Sequence, residues 1–201
     1  MNIAVFVSGS GTNLQALIDA QEQGKLSSGK ITLVVCDKAE AFALKRAEKA
    51  GVETYLLEAS GYASREEYDK KITDKLKEEN VDLVVLAGFM RILSDPFIEA
   101  HTGKILNVHP AILPSFKGTH GIKDAFEYGV KVTGVTVHFV EKELDAGPVI
   151  SQKEVRVEED DTLDSLEEKI HALEHKLYPE AIKLIEENKI CINGRRITLL
   201  S

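Results

Sequence analysis

The sequence predicts a single-domain α/β fold: a Rossmann-like, mostly parallel twisted sheet with helices on both faces and an antiparallel C-terminal part. Apolar runs such as Ile3 to Val7, Ile31 to Cys36 and Val81 to Ala87 have the length and continuity of buried strands. Stretches with helical spacing separate them, so strand and helix alternate through the first half. Near the end, Ile190 to Leu199 is interrupted by Asn193-Gly194, which signals a hairpin.

Ile3 to Val7 runs into Ser8-Gly9-Ser10-Gly11-Thr12-Asn13, and a helix begins near Thr12 with Leu14, Leu17 and Ile18 on one side. Strand, glycine loop and helix start form a geometry in which backbone N–H groups converge on an anion. The dinucleotide fingerprint G-x-G-x-x-G is incomplete, because Leu14 stands at the third position. Asp37 nevertheless follows the second strand where a ribose-binding acid is expected. A Walker A loop is excluded, since no Gly-Lys-Ser/Thr follows. A cradle for a single phosphate fits best, with a tight turn that merely allows packing as the alternative.

Ala39 to Ala50 reads as a helix closed by Gly51, and Val52 to Leu56 as a third strand. Ser64-Arg65-Glu66-Glu67 is a capping box opening a helix to about Glu79. Gly88-Phe89-Met90-Arg91-Ile92-Leu93 leaves the carboxyl end of the central strand, where open α/β sheets bind ligands. An apolar segment there is either core or a binding surface. Ser94-Asp95-Pro96 starts a short helix. Later, Ile122 to Tyr128 is a helix stopped by Gly129, and Thr133 to Val140 and Val149 to Val157 are strands. Glu158 to Asp161 reads as a solvated acidic turn. The helix after it buries Leu163, Leu166, Ile170, Leu173 and Leu177; Pro179 kinks it or separates a second helix, Glu180 to Asn188.

A chain of 201 residues supports one good core, and a net charge of −8 argues against a nucleic-acid surface. Cys36 and Cys191 form no C-x-x-C pair and read as two buried thiols of a reducing compartment. The start M-N-I-A-V-F-V has no basic leader, and no stretch approaches the roughly 20 apolar residues of a membrane span. The expectation is a cytoplasmic protein acting on small molecules, with no nucleic-acid or membrane partner; a homodimer is open to it.

Chemistry concentrates in I-L-N-V-H-P-A-I-L-P-S-F-K-G-T-H-G, Ile105 to Gly121. Asn107 and His109 are two residues apart, so an extended backbone points both to one face. Pro110 and Pro114 stiffen the turn after His109, and Gly118 and Gly121 let the backbone bend sharply. An amide beside an imidazole suits a place where negative charge develops on an oxygen. Taken alone, the pair reads equally as a strand end with a polar turn. Asp145, after the strand G-V-T-V-H-F, supplies a carboxylate to hold the imidazole charged and oriented. This set has no nucleophilic Ser or Cys, which points to direct acyl transfer between two bound substrates. His138 shares a strand face with Thr136, opposite Val135 and Val137, and reads as structural or as a support behind the site; His120 has no evident role. His109, His120 and His138 lack the tight spacing of a metal site, so none is expected.

The motif N-V-H-P-x-x-L-P-x-F-x-G followed by G-V-T-V-H-F-V-x-x-x-x-D-x-G-P resembles the formyltransferase family that uses 10-formyltetrahydrofolate. The likeness runs from Met1 to about Ser201 and implies a single formyltransferase domain over 1–201. Within it, 1–100 would be the phosphate-binding half and 101–201 the catalytic and folate-binding half. The resemblance implies formyl transfer from 10-formyltetrahydrofolate to the amine of 5-phosphoribosylglycinamide in purine synthesis. The folate would be a cosubstrate, with no tightly bound cofactor.

By the same likeness Asn107, His109 and Asp145 are catalytic, and Gly11, Thr12, Asn13, Glu174 and His171 bind the ribosylglycinamide. Arg65, Met90, Arg91, Ile92, Leu93 and Asn107 bind the folate. Read from the residues alone, Arg65, His171 and Glu174 are exposed polar side chains. Lys117 reads as solvated, with a phosphate or the folate tail as alternatives. A deformylase of the family is expected to carry an extra N-terminal domain, and a methionyl-tRNA formyltransferase a longer, more basic C-terminal part. Length and acidity count against both. The rival from another class is a non-catalytic nucleotide-binding module.

Overall fold

The most apolar runs of the sequence become its most enclosed strands. In the computed structural model, which describes residues 1–200, Ile3 through Val7 are wholly buried. Seven strands form one sheet: β1 (Asn2–Val7), β2 (Lys30–Cys36), β3 (Glu53–Leu56), β4 (Leu83–Leu86), β5 (Ile105–His109), β6 (Val132–Phe139) and β7 (Val149–Arg156). Their order is β3-β2-β1-β4-β5-β6-β7. β1 pairs in parallel with β2 and β4, and β2 with β3, whereas β6 and β7 are antiparallel. The helices are α1 (Thr12–Glu22), α2 (Phe42–Lys49), α3 (Arg65–Glu78), α4 (Asp95–Ala100), α5 (Gly121–Tyr128) and α6 (Leu163–Glu186). The expected α/β, mostly parallel fold is therefore present. Tertiary contacts group the chain into two compact units, Met1–Leu106 and Asn107–Ser201, with the boundary inside β5.

In the first unit a strand flanked in parallel on both sides must be apolar on both faces, and β1 is. The chain goes outward from β1 through β2 to β3, then returns to the other side of β1 as β4. That reversal puts a topological switch point at the carboxyl ends of β1 and β4. Right-handed crossovers place α1 and α2 on one face and α3 on the other; accordingly α1 packs on α2, and α3 on α4. α2 starts later than the expected Ala39, because Ala41 N–H first closes a turn on the Lys38 carbonyl at 3.2 Å. At the start of α3, Ser64 Oγ accepts from Glu67 N as a capping box requires. The Glu67 carboxylate reaches Ala63 N, one residue earlier than the box predicts.

In the second unit α6 packs on β6, β7 and α5. It runs through Pro179 as one helix, so of the two expected outcomes the separate second helix is not formed. Proline removes one helical hydrogen bond at a cost of about 3 kcal/mol. Leu177, Tyr178, Ala181 and Ile182 around it are all buried, and burying even two such side chains offsets that loss at about 1.5–3 kcal/mol each. The buried stripe also differs from the expected one: Leu163 and Leu173 are half-buried, and Glu174 takes an inward position.

Asp161 is not merely solvated. Its carboxylate accepts from Lys169 Nζ, Ser165 Oγ and Glu158 N, and these bonds, Lys169 first, bring its pKa down to about 2. Cys191 is exposed and Cys36 buried, so the reading of two buried thiols fails for Cys191; both are free. It lies on a separate antiparallel pair, β8 (Ile190–Asn193) and β9 (Arg196–Leu199), whose register leaves Gly194-Arg195 as the loop. Gly194 has φ +58°, which explains a glycine there. Among the described residues no helix is long and apolar enough to cross a membrane.

Gly134 lies where β6 and β7 approach closely. A Cβ there would run into the Lys153 carbonyl oxygen and lie 2.7 Å from Ile112 Cδ1. Gly134→Ala is expected to lower the unfolding free energy by about 1–3 kcal/mol. A lower guanidinium midpoint at unchanged denaturant slope would show it.

Candidate active site

β5 ends in alternating Asn107 and His109, and its extended backbone sends both side chains to one side. His109 is 2% exposed. Its Nε2 lies 2.8 Å from the Phe116 carbonyl oxygen, and its Nδ1 lies 3.5 Å from Asp145 Oδ2. A carbonyl and an ionised carboxylate only accept, so a ring with hydrogen on both nitrogens satisfies both contacts. Asp145 Oδ2 also accepts from Gly118 N at 2.8 Å. The carboxylate thus faces the imidazole, as the sequence predicted.

Both neighbours of His109 adopt left-handed backbone, Phe116 at φ +53° and Asp145 at φ +49°. For residues that are not glycine this costs about 1–3 kcal/mol each and is found where surrounding structure enforces it. Gly118, at φ +102°, makes the expected sharp turn. Gly121 does not: its backbone is ordinary, and what it provides is space. A Cβ there would lie 3.3 Å from His109 Nε2 and 3.2 Å from the Phe116 oxygen.

The sequence reads His138 as structural or as a support behind the site, and the structure makes it the second: it belongs to this cluster. β6 is buried on both faces, so the side carrying Thr136 and His138 is enclosed as well. His138 Nδ1 lies 2.8 Å from the Phe139 carbonyl oxygen and therefore carries the hydrogen. Its Nε2 then accepts from Asn107 Nδ2 at 3.2 Å, which fixes the amide orientation of Asn107. Burial pushes the His138 pKa below the ordinary histidine value, in keeping with a neutral ring. Its 3.7 Å approach to Asp145 Oδ1 is accordingly a contact of a neutral ring and not an ion pair. No local signal in the sequence marks His138, because its role depends on the placement of β6 beside β5.

The loops around the cluster are tied down. Thr136 Oγ donates to the Ala111 carbonyl at 2.7 Å and accepts from Leu113 N at 3.1 Å; Gln152 Nε2 donates to the Leu113 carbonyl at 2.8 Å. Lys117 is exposed, as expected, and there it pairs with Glu143 at 2.9 Å, linking the two loops that carry the contacts of His109. His120 stays exposed, with Thr119 Oγ 3.0 Å away. On α6, Glu174 is buried rather than exposed, and its carboxylate lies 3.0 Å from His171 Nδ1. That bond raises the His171 pKa.

The other predicted residues lie in the first unit. Gly11 caps α1 in left-handed backbone (φ +71°), and a Cβ there would meet Ala43 Cβ at 2.7 Å. The first turn of α1 has neither a side-chain cap nor an acidic residue, and a helix start of that kind suits an anion. Arg46 reaches the same loop and donates to the Ser10 carbonyl at 2.9 Å. Met90 and Ile92 are 60% and 66% exposed, while Leu93 is buried and Arg91 stacks over the Tyr68 ring at 4.6 Å. Arg65 sits exposed in the first turn of α3, 4.0 Å from Glu66. Among the described residues no group of three or more His, Cys, Asp or Glu side chains is arranged to hold a metal ion.

The family model described as Formyl transferase matches residues 1–182, and the chain belongs to that family. Among its relatives, the phosphoribosylglycinamide formyltransferase of Escherichia coli (strain K12) is 42% identical over 204 residues, covering 98% of this chain and 96% of the relative. The trifunctional purine biosynthetic protein adenosine-3 of Gallus gallus is 45% identical over 199 residues, covering 95% of this chain. The chain spans only 20% of that longer protein. Glycinamide ribonucleotide transformylase 1 from Symbiobacterium toebii superimposes with a TM-score of 0.97 at 44% identity, covering 100% of this chain and 94% of that one.

The neutral His138 has a consequence for stability. Below about pH 6.5 the unfolded chain gains a proton that the folded ring resists, so stability falls as pH drops through that value. His138→Asn is expected to flatten this slope, leaving the part due to His101, whose pKa burial also lowers, and the opposing part due to His171, whose pKa the Glu174 bond raises. Urea melts on either side of that pH, compared with wild type, measure the change.

Proposed function

We propose that this chain transfers the formyl group of 10-formyltetrahydrofolate to the amine of 5-phosphoribosylglycinamide. The observation that carries this reading is the cluster of Asn107, His109 and Asp145, joined through His138, in a chain of the formyl transferase family. The amine lone pair attacks the formyl carbon, and the carbonyl π electrons move to oxygen. His109, as imidazolium, and Asn107 donate to that oxyanion. For this step the Phe116 carbonyl, 2.8 Å from His109 Nε2, gives way so that the substrate oxygen takes that hydrogen. Asp145 holds the ring charged and positions a water that carries the proton from the amine to the folate nitrogen. Collapse then restores the carbonyl and expels that nitrogen.

The glycine loop at Gly11, Thr12 and Asn13 supplies backbone donors for the phosphate, and Glu174 with His171 serves the ribose hydroxyls. Met90, Arg91, Ile92 and Leu93, together with Asn107, hold the folate, with Arg65 toward its glutamate tail. In this reading 1–100 carries phosphate recognition and 101–201 the chemistry. The folate comes and goes as a cosubstrate, and the protein works in the cytoplasm on small molecules. Holding two substrates with reacting atoms adjacent supplies much of the acceleration.

Asn107→Ala and Asp145→Asn are each expected to lower kcat by about a hundred- to a thousandfold. Saturating both substrates and following release of tetrahydrofolate by absorbance reads the effect. Turnover near wild type in either variant would remove that residue from the mechanism. Titration with NAD against the ribosylglycinamide separates this reading from a nucleotide-binding module, which would bind the former.

A further inference from the structure

The glycine loop and the Met90 to Leu93 segment leave neighbouring strands of the first unit. β1 and β4 are in register at Phe6 and Leu86, and Ala87 N–H donates to the Phe6 carbonyl at 2.8 Å. Gly88, at φ +78°, then turns the chain. Beyond the turn, Met90 N–H donates to Ser8 Oγ at 2.9 Å. Ser8 is 4% exposed and is the first residue of the glycine loop. The far end of the segment is held separately, by Ser94 N–H donating to the buried Asp69 carboxylate at 2.6 Å. The exposed Met90 and Ile92 thus project from a segment fastened at two points, one of which is the glycine loop itself.

We infer that Ser8 is a positioning residue that couples binding of the phosphate-bearing substrate to binding of the folate. The inference rests on the formyl-transfer reading above. An anion on the N–H groups of Thr12, Asn13 and Leu14 orders the loop that begins at Ser8. Ser8 Oγ is ordered with it and sets the peptide plane of Met90, so the second ligand meets a segment already in place. Linkage makes the effect reciprocal: each ligand tightens the other by the same factor. Asp69 steadies the same segment from α3 and provides the contrast.

Calorimetric titration of each substrate, alone and with the other bound, measures the coupling factor in wild type, Ser8→Ala and Asp69→Asn; steady-state kinetics accompany it. Ser8→Ala is expected to reduce the coupling by about three- to tenfold, the worth of one neutral hydrogen bond. Its kinetic effect falls on KM for both substrates more than on kcat. Asp69→Asn is expected to raise KM for the folate while keeping the wild-type coupling. Unchanged coupling in Ser8→Ala, or an equal loss in Asp69→Asn, overturns the inference. A wild-type chain silent in formyl transfer overturns the substrate reading instead. Inorganic phosphate and folate titrated on the same proteins then still read the coupling.

Discussion

An imidazole enclosed as His109 is must find an acceptor for every hydrogen it carries, because little water reaches it. The second unit supplies one for each nitrogen, the Phe116 carbonyl and the Asp145 carboxylate. Several local oddities stem from that requirement. Phe116 and Asp145 tolerate left-handed backbone, since in those conformations their oxygens face the ring. Gly118 turns the chain and donates its N–H to Asp145, while Gly121 leaves room beside Nε2. Thr136 and Gln152 fasten the Ala111 to Leu113 turn, and Lys117 with Glu143 joins the two loops.

Two histidines share this cluster, and different groups face their nitrogens. His109 meets two acceptors. His138 meets one acceptor at Nδ1 and a donor, the Asn107 amide, at Nε2. A neutral His138 leaves the charge of Asp145 for His109 and orients Asn107 at the same time. A second imidazolium beside the first would repel it, and the nearby His109 indeed adds to the lowering of the His138 pKa.

The first unit uses a different device. Its parallel strands bring two loops to the switch point, and the main chain does most of the presenting: the uncapped start of α1, and a segment leaving β4 whose Met90 and Ile92 side chains face outward. Such sites depend on where the main chain runs. In the proposed reading, glycines at 11 and 88 and a buried hydroxyl at 8 therefore matter more there than charged side chains.

Strands such as Ile3 to Val7, the Gly11 helix start, the Ser64 cap and the hairpin near Gly194 were legible because each depends on neighbours within a few residues. Asn107 and His109 were legible as a pair for the same reason, through the two-residue period of a strand. The inclusion of His138, the pairing of Lys117 and the burial of Glu174 were decided by the tertiary structure, as was the exposure of Cys191. So was the continuity of α6 through Pro179. Each depends on what another part of the chain covers or opposes, and one-dimensional periodicity holds no record of it. The sequence by itself determined that Asn107 and His109 share one side of a strand; only folding determined which groups would face them.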